Sequence, residues 1–195
     1  TTIYRMDDDA QRQLVSASPR VALQAAPPVL IDEWQRLPQV WDAVRRSVDL
    51  CGDARIVQLS TDAVYSGDDG PYSEREPPDP RTGYGRAQAE VDDALTATRS
   101  DVLIVRTSFI FGCAGGRMDK RLAPLTREPS LVGRQAWATN LYRSPTEVNF
   151  LAEGIVRAIE RRTTGVLNIA GPRMSIAEFF TRALEPFGLS QSGPR

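Results

Sequence analysis

The sequence predicts an α/β layer fold built on a mainly parallel sheet. Short apolar runs of strand length recur at 29–33, 54–59, 102–105 and 165–170, and a helical pattern separates each from the next. Clusters of Gly and Pro mark the boundaries between them. Strands joined through helices require crossover connections, and crossovers give parallel pairing. The runs 29–33, 55–60, 102–106 and 165–169 are therefore expected in one sheet.

The first 28 residues are weakly patterned. Asp7-Asp8-Asp9 before Ala10–Leu14 reads as an acidic cap on a short helix, stopped by Pro27-Pro28. Val29–Glu33 reads as a strand ending in two carboxylates. Val40, Trp41, Val44 and Val48 then recur at helical spacing from Pro38. Residues 62–82 are rich in Gly and Pro and read as loop; a helix is expected from about Gly83 to Thr98. Val102–Val105 suits a central parallel strand, buried on both faces. A helix is expected around Met118–Arg127. Another is expected from Ser144-Pro145-Thr146-Glu147 to about Arg162, with Pro145 near its first position and Glu147 closing a capping box. Ser175 and Glu178 form a second such box, ahead of a helix to about Phe187.

Composition narrows the chemistry. The chain has 195 residues, 41% of them hydrophobic and 25% charged, enough for one core and part of a second. A net charge of −1 gives no ground for nucleic acid or a membrane surface as partner. With no histidine, His-based triads, His metal sites and His general bases are excluded. No apolar run reaches transmembrane length. Cys51 and Cys113 form no CxxC motif, and are expected as two buried free thiols in a reducing, cytoplasmic compartment.

Several motifs fall in order between residues 56 and 171. They are Ser60-Thr61-Asp62-Ala63-Val64-Tyr65-Ser66-Gly67, Pro71-Tyr72-Ser73-Glu74 with Pro77, Tyr84-Gly85, Arg106-Thr107-Ser108 with Phe111-Gly112, Ser144-Pro145-Thr146, and Leu167-Asn168-Ile169-Ala170-Gly171. Together, over about 54–188, they resemble the extended short-chain dehydrogenase/reductases. The branch is the dTDP-4-dehydrorhamnose reductase-like, sugar-nucleotide-binding one. The resemblance implies a Rossmann-like three-layer fold, NAD(P)H as cofactor and a nucleotide-sugar-like small molecule as ligand. It implies Tyr84 as the acid that protonates a carbonyl oxygen and Thr61 as the hydroxyl that orients it. Ser60, Asp62, Ser108 and Arg143 fall at substrate-binding positions, and Thr107 and Gln88 at cofactor-binding ones.

Two features depart from the family. The lysine expected one helical turn after Tyr84 is Gln88, which brings no charge. The G-x-x-G-x-x-G turn that seats a dinucleotide pyrophosphate is not found in residues 1–53. In its place, Leu30-Ile31-Asp32-Glu33-Trp34-Gln35 resembles the Walker B strand of a bacterial AAA-type ATPase family, without the phosphate loop that ATP binding needs. The chain thus reads as two parts joined near residues 50–55. Residues 1–53 form an ATPase-like strand/helix fragment completing the sheet, and 54–195 a reductase-like substrate-binding half whose nucleotide-binding partner is truncated or replaced.

Bland readings stand beside these. Tyr84 at a helix start is read alternatively as a packing residue, Thr61-Asp62 as an ordinary turn, and Asp32-Glu33 as a structural strand end. Gly112, Gly115 and Gly116 suit a connection better than a phosphate cradle. Arg106, Arg117, Arg121 and Arg143 suit either a diphosphate or solvent. The expectation is a sugar-nucleotide-binding domain, inactive or weak as a reductase and binding no metal. The alternatives are a non-catalytic module that binds a ligand or pairs with a second copy or a partner chain, and an AAA-type ATPase fragment.

Overall fold

A computed structural model describes residues 2–26, 28–50, 55–68 and 70–189. The junction near 50–55, Cys51 and Pro27 lie wholly or partly outside them. The chain divides into two compact units, Thr1–Ile56 and Val57–Arg195.

In the first unit, β1 (Thr2–Arg5) leads through α1 (Asp9–Ala17) and α2 (Pro19–Leu23) to β2 (Val29–Asp32), followed by α3 (Gln39–Leu50). β1 and β2 pair in parallel, Thr2 opposite Val29 and Arg5 opposite Asp32. Among the described residues strand 29–33 therefore pairs with β1, not within the sheet of the later strands as expected. The short strand Thr2–Arg5, missed in the weakly patterned start, is its partner. The helix after it breaks at Ser18, which is extended (φ −152°, ψ 94°), because the residue before a proline is barred from helical geometry. Met6, Val15, Ala22, Leu37 and Val40 form the core, with Trp34 packed on it.

In the second unit, β3 (Val57–Thr61), α4 (Gly83–Thr98), β4 (Leu103–Thr107) and β10 (Gly165–Asn168) make the frame. The sheet order is β10-β4-β3, all parallel, with Val57 and Gly165 both opposite Leu103. Every residue of β4 is buried, as a central parallel strand requires. Between β4 and β10 lie β5 (Ile110–Phe111), β6 (Cys113–Ala114), β7 (Arg117–Met118), α5 (Leu122–Arg127), β8 (Tyr142–Arg143), β9 (Thr146–Glu147) and α6 (Val148–Glu160). β11 (Met174–Ser175) and α7 (Ile176–Leu184) follow β10. Leu103 and Val105 pack with Leu151, Ala158 and Ile169; Leu122, Leu125, Val132, Phe179 and Leu184 form another cluster.

Three local expectations change. Arg117-Met118 is strand, not helix: it pairs with Cys113-Ala114 across Gly115-Gly116, both at positive φ, a two-residue hairpin turn. Thr146-Glu147 pairs with Ile110-Phe111, so α6 starts at Val148 and Glu147 becomes its N-cap, accepting from the Asn149 and Phe150 amides at 2.8 Å each. Cys113 is exposed, not buried, because it sits on that hairpin. Of the expected Ser175 box the serine half forms, Ser175 Oγ accepting from the Glu178 amide at 3.1 Å, while the Glu178 carboxylate pairs with Arg182 at 2.6 Å. Among the described residues no helix is long and apolar enough to cross a membrane.

Candidate functional site

A cleft of about 670 Å³ opens at the carboxyl ends of the three parallel strands. This is where open α/β sheets place ligands. Asp62 reaches it from the end of β3, Thr107 and Ser108 from the end of β4, and Asn168 from the end of β10. Tyr72 and its loop, with Arg143 on β8 and Arg173, line other parts of it.

The sequence-predicted residues part company here. Asp62, Thr107, Ser108 and Arg143 line the cleft. Thr107 Oγ1 donates to Thr146 Oγ1 at 3.0 Å, tying β4 to β9. Ser108 is 4% exposed and its hydroxyl has no hydrogen-bond partner. Thr61 caps the 3-10 turn Asp62–Val64: its Oγ1 accepts from the Ala63 amide at 3.2 Å and donates to Asp62 Oδ1 at 3.4 Å. Ser60 points inward, buried, and donates to Asp92 Oδ2 at 3.0 Å. Tyr84, in the first turn of α4, is 62% exposed and is not among the cleft-lining residues. Gln88 is half-buried, with its Oε1 shut off from solvent and without a partner.

Behind the cleft runs a buried polar network that sequence reasoning missed. Arg106 Nε donates to Asp92 Oδ2 at 3.1 Å, and Arg106 Nη1 donates to Tyr65 Oη at 3.0 Å. Tyr65 donates to Asn168 Oδ1 at 3.1 Å, and Asn168 Nδ2 donates to the Tyr72 carbonyl at 3.1 Å. The rings of Tyr65 and Tyr72 stack at 4.6 Å. Four elements are thereby joined to the 65–76 loop that walls the cleft. Burial pushes the Asp92 carboxyl above the ordinary carboxylate range, and its bonds from Arg106 and Ser60 offset only part of this. Burial alone would lower the Arg106 guanidinium; its bonds to Tyr65 and Asp92 outweigh that and raise it. The available signal was spacing: Asp92 lies on the same helix face as Tyr84 and Gln88, at successive turns.

The turn between β1 and α1 holds Asp7-Asp8-Asp9. Asp8 Oδ1 accepts from the Ala10 and Gln11 amides at 3.0 Å each, so the α1 N-terminus already holds an anion. After β2, Glu33 lies in the left-handed region (φ 54°) and its carboxylate accepts from the Gln35 side-chain Nε2 at 2.6 Å.

A model of the RmlD substrate binding domain matches residues 43–191, well over half of the chain. The chain belongs to this family. Among relatives of the RmlD-like domain is the spore coat polysaccharide biosynthesis protein SpsK of Bacillus subtilis. It is 30% identical over 141 residues, covering 70% of this chain and 47% of SpsK. A dTDP-4-dehydrorhamnose reductase of Streptomyces griseus is 30% identical over 139 residues, covering 63% of this chain and 46% of its own. Among solved structures, a hypothetical dTDP-4-dehydrorhamnose reductase from Sulfolobus tokodaii superposes with a TM-score of 0.57 at 31% identity, covering 77% of this chain and 53% of that one. The Bacillus anthracis dTDP-4-dehydrorhamnose reductase in complex with NADP superposes with a TM-score of 0.63 at 24% identity, covering 75% and 51%, a likeness of fold. The RmlD-like domain spans about half the length of the curated relatives it matches. Its Rossmann-like α/β fold is that of the extended short-chain dehydrogenase/reductases.

Proposed function

We propose that this chain is a sugar-nucleotide-binding domain that holds a nucleotide-sugar-like ligand in its cleft and, by itself, is inactive or very weak as a reductase. The observation that carries the reading is the split of the site. The ligand-facing residues Thr107, Ser108 and Arg143 line one cleft, while the proton-handling pair is dispersed. Tyr84 stands exposed, and the Thr61 hydroxyl is engaged by its own turn.

Tyr84 and Thr61 are the relic of the acid and orienting hydroxyl, and Gln88 occupies the position of the family's charged partner. Bound NAD(P)H would supply the reducing equivalents of such a reaction, but no G-x-x-G-x-x-G turn to seat its pyrophosphate is found in residues 1–53. NAD(P)H binding is therefore weak or absent in this chain. A second reading, pairing with another chain that supplies a nucleotide-binding half, is favoured by the edge strand β3. Among the described residues β3 pairs only with β4.

The test is thermal melting of the full chain with a dTDP-sugar, NADPH and Mg-ATP in turn, alongside a NADPH-consumption assay. A shift with the dTDP-sugar alone, and no turnover, is expected. A micromolar NADPH dissociation constant, or steady turnover, overturns the reading.

A further inference from the structure

The sheet β10-β4-β3 has two edges, and the chain treats them differently. At the β10 edge the Asn168 amide donates to Glu74 Oε1 at 3.1 Å, and Asn168 Nδ2 to the Tyr72 carbonyl at 3.1 Å. The loop carrying Tyr72 and Glu74 thereby covers that edge. At the β3 edge, among the described residues, no strand but β4 bonds to the backbone. There Gln58 Nε2 donates to the carbonyl of the next residue, Leu59, at 3.0 Å, so the strand's own side chain serves a backbone acceptor. β3 reads Val-Gln-Leu-Ser-Thr. It has no charge, proline or glycine, the devices that keep an exposed edge from pairing.

The face beside this edge is apolar and open. Val57 and Leu59 are both exposed, while Ser60 between β3 and α4 is buried. Val57 lies opposite Leu103 and Leu59 opposite Val105, so all four share one face of the sheet. On that face α6 covers β4 and not β3, since Leu103 and Val105 pack with Leu151 and Ala158. A Cβ at Gly154 would meet Ile169, just past β10, at 3.0 Å. The flank of α6 that carries Gly154 therefore faces the β10 side. The opposite flank, with Val156 and Ile159, turns toward β3, and both residues are exposed. Strand and helix flank together leave an apolar trough along an unpaired edge.

We propose that β3 pairs antiparallel with β3 of a second copy, about a two-fold axis normal to the sheet. Such an axis keeps the same face uppermost in both copies. Val57 and Leu59 of the two copies then lie side by side between the two α6 flanks, and the trough of each copy is filled by the other. A neutral strand sets no like charges opposite each other when it pairs with itself. The contact is also closed, since one event satisfies the free edge of both copies. These two properties select a second copy over a foreign strand. The inference goes beyond the ligand reading of the cleft and stands without it.

Sedimentation equilibrium of the full chain tests it, with Leu59→Lys, Val156→Lys and, as control, Phe150→Ser. Phe150 is exposed on α6 but belongs to the face turned away from the sheet. Wild type should show a concentration-dependent dimer. Each lysine variant should weaken it by about tenfold or more, because pairing would bury an unpaired charge. The control should match wild type. Urea unfolding confirms that the variants fold, since all three positions are exposed. Amide exchange in wild type gives a second reading that needs no variant. Residues 57–61 should exchange more slowly as concentration rises, and 165–168 should not change. A monomer at every concentration overturns the proposal and leaves the edge to a partner chain. A dimer indifferent to both lysines overturns it by placing the contact elsewhere. Equal weakening by Phe150→Ser overturns it by showing association through any exposed apolar residue.

Discussion

Gly85 stands so close to Ala63 that a Cβ at position 85 would overlap the Ala63 backbone carbonyl. Helix α4 therefore starts directly against the 3-10 turn that follows β3. Thr82 caps it, its Oγ1 accepting from the Gly85 amide at 3.0 Å. This contact, rather than any bond from Tyr84, sets where the Tyr84 helix begins relative to Thr61.

Gly85→Ala should therefore destabilise the domain by about 1–3 kcal/mol, the range for forcing an extra methyl into a packed site. Gly83→Ala is the control. A Cβ there meets nothing within 4 Å, so it should be neutral or stabilising by roughly half a kcal/mol. Urea unfolding of both variants decides the matter. Equal stability of the two would mean that the close approach at Ala63 carries no strain.

The Arg106–Asp92 pair predicts a larger effect. Both residues are buried, at 4% and 1% exposure, so removing one leaves the other as an uncompensated charge. Arg106→Met should cost about 3–5 kcal/mol. It should also release the 65–76 loop, read as faster amide exchange at Tyr65, Tyr72 and Ser73. A loss of stability without faster exchange there would show that the network does not hold the loop.

Asp92 also gives a pH dependence with a definite sign. Its carboxyl is raised above its unfolded value by burial. In the window between the two values the folded state binds a proton that the unfolded chain has released. The residue's contribution to stability therefore falls as pH rises through that window and is level above it. Urea unfolding from mildly acid to neutral pH, wild type against Asp92→Asn, should show this slope only in wild type.

Glu147 has the opposite sign. Burial acts to raise its carboxyl, but bonds from the Phe150 and Asn149 amides prevail and hold it below the ordinary glutamate range. The stabilisation is complete above that range and lost as pH falls through the lowered folded value. Glu147→Ala should cost about 1 kcal/mol at neutral pH as a lost N-cap, less at high salt because the site is near solvent. A cost unchanged in acid would show that the charge is not what caps α6.

Much of the second unit was legible. Val102–Val105 is apolar on both faces because β4 is covered on both, and helix 83–98 was bounded by its own cap and end. Local signals failed where pairing partners decide the outcome. Thr146-Glu147 looks like a helix start and is drawn into a bridge with Ile110-Phe111. Thr2–Arg5 alternates over too few residues to stand out until it pairs with Val29–Asp32. For the site, hydroxyls and arginines could be named from their motifs, but not where they point. Ser60 and Thr61 are neighbours, yet strand alternation sends one to Asp92 and the other to the following turn. Arg106 and Arg143 look alike in sequence and differ by a buried carboxylate on another element.

Gln88 gives the last test, because its buried Oε1 lacks a partner. An unpaired buried acceptor costs roughly 1–3 kcal/mol when fully desolvated, and Gln88 is only half-buried, so the lower end applies. Methionine matches its length and carries no such acceptor. Gln88→Met should therefore be neutral or stabilise the domain by about 1 kcal/mol in urea unfolding. Gln88→Lys places a cation one turn beyond Tyr84, but supplies no G-x-x-G-x-x-G turn for a cofactor. It should give no NADPH consumption with a dTDP-4-keto sugar. Two results would count against this account. A clear loss of stability in Gln88→Met would mean that Oε1 makes a bond the fold needs. Turnover in Gln88→Lys would mean that a single charge was all that the site lacked.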